Sequence, residues 1–128
     1  MGMSALSETY KNNGIFTASN EELTLMLYEG AIKFCNQAIV AIEQKNLEKS
    51  NSLIIRIQDI VREFQITLNH DYEISKNFDS LYTYMFSRLL DANLKKDTAI
   101  LLEVKTLLTE FRDTWKEAMK LSRQQANV

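Results

Sequence analysis

The sequence predicts an all-α protein: an antiparallel up-down four-helix bundle behind an irregular N-terminal segment. The 128 residues contain no proline, and their only glycines are Gly2, Gly14 and Gly30, so the usual residues of tight hairpin turns are missing from the rest of the chain. Apolar residues recur at spacings of three and four in four stretches, which are separated by short clusters of Asn, Asp, His and Lys. Connections that short make successive helices antiparallel. The length suits one domain able to bury a core without disulfides or a structural metal.

Residues 1–18 show no helical periodicity and precede the bundle, which is expected over 19–124, with 125–128 as a disordered tail. The first helix starts at Ser19-Asn20-Glu21-Glu22, where Ser19 and Glu22 have the spacing of a capping box, and runs to about Gln44. Its apolar residues, from Leu23, Leu27 and Tyr28 through Ala31, Ile32, Phe34, Cys35, Ala38 and Ile39 to Ile42, span roughly 200° of the circumference. An arc that wide predicts a helix contacting two neighbours, with room for a partner groove along one margin.

The second helix, from about Asn46 to Leu68, places Leu53, Ile54, Ile57, Ile60, Val61, Phe64 and Leu68 on its core face, and Asn69-His70-Asp71 should stop it. The third, from about Glu73 to Asn93, carries Ile74, Phe78, Leu81, Tyr82, Met85, Leu89 and Ala92 on one side. The fourth begins at a cap, Asp97, with a stripe of Ile100, Val104, Leu107, Leu108, Phe111, Trp115, Ala118 and Met119.

Some apolar residues fall outside these stripes. Ile55 and Ile66 lie opposite the core face of the second helix, with Asp59 and Arg62 between them. Phe86 and Leu90 leave the third helix's stripe on one side and Tyr84 on the other, and Leu102 stands alone on the fourth. Any one of these is unremarkable on a soluble protein, but several on adjacent helices form a surface that another chain would cover, such as an amphipathic helix laid in a groove.

Chemistry finds little footing. The single cysteine, Cys35, lies inside the apolar arc of the first helix and excludes an internal disulfide, and the single histidine, His70, falls in a connection. Diiron and two-imidazole sites are therefore out of reach, no glycine-rich phosphate loop occurs, and Glu21-Glu22 serve a helix start. No enzyme activity and no cofactor are expected. Fifteen basic against seventeen acidic residues argue against nucleic acid as a partner. The longest apolar run, Ala38 to Ile42, and the lack of a secretory N-terminal pattern predict no membrane insertion and a cytoplasmic location.

The motifs resemble the FliS family of flagellar export chaperones over nearly the whole bundle. The resemblance is carried by Tyr10, Ile15, Thr17-Ala18-Ser19 and Leu23-Thr24-Leu25-Met26-Leu27-Tyr28-Glu29-Gly30-Ala31, with matching spacing from tyrosine to helix. Further matches are Glu73-Ile74-Ser75, Leu81-Tyr82-Thr83-Tyr84-Met85, Arg88-Leu89-Leu90-Asp91-Ala92-Asn93 and Arg112-Asp113-Thr114-Trp115-Lys116. The chain departs from the family at Asn20, where proline is common, and at Asp71-Tyr72, where many members have a glycine pair.

The resemblance implies a cytoplasmic chaperone that binds the C-terminal, polymer-forming segment of flagellin, prevents premature polymerisation and accompanies it to the flagellar export apparatus. It also assigns Tyr10 to a segment covering part of the binding surface, with Ile15 and Phe16 as further apolar contacts. The expected flagellin-binding residues are thus Tyr10, Ile15, Phe16, Ile55, Arg62, Ile66, Tyr84, Phe86 and Leu90. A regulatory or signalling bundle is the alternative; it would need an exposed histidine or a ligand pocket and would have no use for apolar lines outside the core.

Overall fold

The computed structural model describes residues 20–68 and 75–126. Among them are four α-helices, α1 (Asn20–Glu43), α2 (Leu47–Thr67), α3 (Ser75–Lys95) and α4 (Thr98–Ala126), and no strand. Each helix packs on the next in sequence, and α1 also packs on α4, so the four form a closed square with α1 diagonal to α3. The capping box at Ser19, the stop at Asn69-His70-Asp71 and the N-terminal segment lie outside the described residues. At the other end the helix continues to Ala126, two residues beyond the expected bundle, because Gln124, Gln125 and Ala126 favour helix and no breaker intervenes.

The turns joining α1 to α2 and α3 to α4 share one design. Lys45 and Lys96 take left-handed backbone conformations with φ of 59° and 50°. The next residue's N–H then bonds back to the helix, Asn46 to the Ala41 carbonyl at 2.8 Å and Asp97 to the Ala92 carbonyl at 3.1 Å. That same residue caps the following helix. Asn46 Oδ1 accepts from Lys49 N at 3.2 Å, and Asp97 Oδ1 accepts from Ala99 N at 2.9 Å. Helix end, reversal and helix start are compressed into two or three residues, which places both turns at one end of the bundle.

The core grades along the axis. Near the turns it is small and aliphatic, with Ala38, Ala41, Leu53, Ala92, Ile100 and Leu101 buried. Further from them all four helices contribute to an aromatic tier. Tyr28 stacks on Phe64 at 4.2 Å between ring centroids, Phe64 meets Tyr82 at 5.6 Å, and Phe111 meets Tyr82 and Phe78 at 5.4 and 5.5 Å. The Tyr28 and Tyr82 hydroxyls lie 2.6 Å apart, a hydrogen bond across the diagonal of the square. Above this tier, Trp115 Nε1 donates to the Glu21 carbonyl at 3.0 Å and clasps α4 to the first turn of α1.

α1 makes the two-neighbour contact its wide arc predicts. Tyr28, Ala31, Cys35, Ala38 and Ala41 are buried, while Leu27, Ile32, Phe34, Ile39 and Ile42 are half-buried against the core along its margins. By length and hydropathy Glu21–Glu43 would suffice to cross a bilayer. In the bundle, however, that apolarity serves packing on α2 and α4. Four apolar residues depart from the expected stripes. Leu81 is exposed, because its neighbour Tyr82 takes the inward position; Ala118 is exposed near the end of α4; and Ala41 and Leu101, assigned to no stripe, are buried.

Candidate functional site

The candidate site is the outer surface of the α2–α3 seam. Its register is fixed by amides. Asn93 Nδ2 donates to Asn51 Oδ1 at 2.7 Å near the turn end, and Gln65 Nε2 donates to Asp79 Oδ1 at 3.2 Å and to Thr83 Oγ1 at 3.0 Å toward the other end. Antiparallel pairing between these two ties sets Gln58 level with Phe86 and Ile55 about level with Leu90.

Ile55 and Ile66 are 44% and 74% exposed, on the side of α2 away from the core, as expected. Leu90 is 47% exposed and lies four residues beyond Phe86 on α3, on the face turned to α2. Leu94, at 83% exposure, extends that line by another turn. It was absent from the expected contact set, although its spacing from Leu90 carried the signal. Apolar surface therefore runs along the seam from Leu94 through Leu90 and Ile55 to Phe86 and Ile66.

Two expected contacts pair with each other. Phe86 is half-buried against the core, and the exposed Arg62 lays its guanidinium over the ring, 4.2 Å from the centroid. Such a contact on the surface is worth about 0.5–1 kcal/mol and covers apolar area with a charged group. Tyr84 lies apart from the line. Its hydroxyl donates to Glu103 Oε1 of α4 at 3.1 Å, beside the Arg88 Nε that reaches the same oxygen at 2.8 Å, which places it on the α3–α4 seam. Hydrogen bonding from Arg88 holds the Glu103 carboxyl below its usual range, so this seam is a charged clasp and not an apolar strip. Tyr10, Ile15 and Phe16 lie outside the described residues.

The other sequence candidates resolve simply. Cys35 is fully buried, and desolvation pushes its thiol up to about 12, the behaviour of a small core hydrophobe. His70 lies outside the described residues, among which no cluster of three His, Cys, Asp or Glu side chains could hold a metal ion.

A bundle with exposed apolar residues along one seam of its described residues suits a binding protein, and comparison with known proteins gives the kind. The family model described as Flagellar protein FliS matches residues 2–122. The chain belongs to the FliS family. A Bacillus subtilis protein named flagellar secretion chaperone FliS is 44% identical over 115 residues, which cover 90% of this chain and 86% of that one. Its Escherichia coli K12 namesake is 30% identical over 92% of this chain and 89% of its own length. The Salmonella typhimurium protein of the same name is 31% identical over 91% and 88%. A crystal structure described as a flagellar chaperone from bacteria superposes with a TM-score of 0.75 over 94% of this chain and 98% of its own, at 18% identity, and shows the shared fold. This FliS-family chain is thus a four-helix flagellar secretion chaperone by family, and its relatives are named as chaperones, not as enzymes.

Proposed function

We propose that this FliS-family protein binds the C-terminal segment of flagellin in the cytoplasm, keeps it from polymerising and hands it to the flagellar export apparatus. The observation that carries the reading is the apolar line along the α2–α3 seam, where Ile55, Ile66, Leu90 and Leu94 are all exposed on adjacent helices. A segment that is unfolded before assembly can lay an amphipathic helix there, burying its own sticky face together with the chaperone's. No chemical step is needed. Residues 1–18 form a separate segment in this proposal, with Tyr10, Ile15 and Phe16 covering part of the surface until flagellin displaces them.

The test replaces both isoleucines, Ile55→Glu with Ile66→Glu. Exposed substitutions usually change stability by within about 0.5 kcal/mol, so the melting temperature should hold. Each carboxylate would have to be desolvated against an apolar face in the complex, with only the exposed Arg62 within reach of position 66, at a cost of about 2 kcal/mol or more, so co-elution with flagellin on size exclusion should be lost. A folded double variant that binds like wild type would move the contact surface to another face. For the N-terminal cover, limited proteolysis near residues 10–18 should quicken when flagellin binds; equal or greater protection would argue against displacement.

A further inference from the structure

The α2–α3 seam contains a ladder of amides one heptad apart, Asn51, Gln58 and Gln65, facing Asn93, Phe86 and Asp79 at the same spacing on α3. The outer two rungs are hydrogen-bonded across the seam. The middle rung, by the same register, sets Gln58 level with Phe86, whose side chain has no oxygen or nitrogen to pair with it. Gln58 is only 8% exposed, and its Nε2 is the one buried side-chain nitrogen or oxygen among the described residues without a hydrogen-bond partner. An unsatisfied buried donor is destabilising and needs a reason. Specifying register is not that reason, because the bonded rungs on either side already fix it.

By register, the residue level with Gln58 across the seam is Phe86, half-buried against the core. Phe86 is held by packing and by the Arg62 guanidinium on its outer face, and it is the half-buried centre of the apolar line on which the proposed partner would lie. A rotamer change of a partly exposed ring is fast, and a bound apolar helix would offer it and the Arg62 stem equivalent surroundings.

Building on the flagellin-binding reading above, we propose that Gln58 is a specificity-determining contact. When the flagellin segment seats on the seam and displaces Phe86, Gln58 Nε2 donates to a main-chain carbonyl of that segment. The carbonyls free to accept are those a helix leaves unpaired in its last turn. The seam therefore selects a polypeptide whose helix ends or breaks at the level of Gln58, in preference to an uninterrupted amphipathic helix.

The experiment compares wild type with Gln58→Met, which keeps the side chain's length without its polar atoms, by thermal melting and by calorimetric titration with the C-terminal segment of flagellin. The variant should melt a few degrees higher and bind about tenfold more weakly, as expected for losing a donor satisfied only in the complex. A higher melting temperature with wild-type affinity would overturn the proposal. So would a lower one, which would show that the amide is already satisfied in the free protein, for instance on the Phe86 ring. If wild type itself fails to bind the segment, the flagellin reading falls; if it binds and Gln58→Met binds equally well, only this inference falls. A second measurement needs no variant: the Gln58 side-chain NH2 resonances should shift and gain protection from exchange on binding, and unchanged resonances would refute the contact.

Discussion

The Tyr28 and Tyr82 hydroxyls, 2.6 Å apart in the aromatic tier, illustrate what single residues decide. Both phenols are raised above their ordinary pKa, chiefly by burial. A group whose folded-state pKa is raised supports the fold fully below its unfolded value and loses that support as pH rises above it. Stability should therefore hold through neutral pH, begin to fall above about pH 9 as Cys35 is asked to ionise, and fall faster above about pH 10 as the tyrosine pair is, each strongly shifted group adding at most about 1.4 kcal/mol per pH unit. Chemical denaturation across pH 8–11 measures this, and Tyr28→Phe with Tyr82→Phe should flatten the upper part of the curve. Either single replacement leaves the other hydroxyl buried and unpaired, so each should cost about 1–3 kcal/mol while the double variant costs less than their sum. Periodicity placed both tyrosines on inward faces. Their bond was not legible, because it joins diagonal helices through contacts 54 positions apart in the chain.

The helices themselves were legible to within about two residues, since α1 was expected to end near Gln44 and ends at Glu43, and Asp97 was expected to cap the fourth helix and does. The errors fall at stripe margins. Leu81 is exposed beside the inward Tyr82, whereas Leu101 is buried together with its neighbour Ile100, and how far the inward face extends to either side depends on where the neighbouring helices lie, a quantity absent from a one-dimensional pattern. The left-handed lysines were equally hidden, because lysine carries no signal for that conformation. Glycine adopts it without steric cost, so Lys45→Gly should stabilise the fold by about 0.5–1 kcal/mol. Lys96→Gly should gain less, because Lys96 Nζ also donates to Asn93 Oδ1 at 2.6 Å. Gly30 gives the opposite case. It lies within α1, and a Cβ there would meet nothing within 4 Å, so Gly30→Ala should raise stability by about 1 kcal/mol in a urea titration.

At the scale of the whole molecule, the two turns make α1–α2 and α3–α4 into local hairpins, and the α2–α3 and α1–α4 seams join the hairpins to each other, the α2–α3 seam on the side of the candidate site. That seam holds most of the candidate site. The sequence could put Ile55, Ile66 and Leu90 outside the core, but not reveal that α2 and α3 bring them to one line, nor that Tyr84 belongs to another seam. Low contact order predicts single-exponential refolding in milliseconds or less, without the slow phase a proline isomer would give, and stopped-flow measurements check it. The clasp between Trp115 and the Glu21 carbonyl has an optical consequence. Trp115 is the chain's only tryptophan, so its emission arises from a single site at the α1–α4 junction. Anything that frays the first turn of α1 frees the indole N–H to water and shifts that emission to the red, whereas a ligand confined to the α2–α3 seam leaves it in place. The protein thus carries its own label-free reporter for telling opening at one end of the bundle from docking along its side.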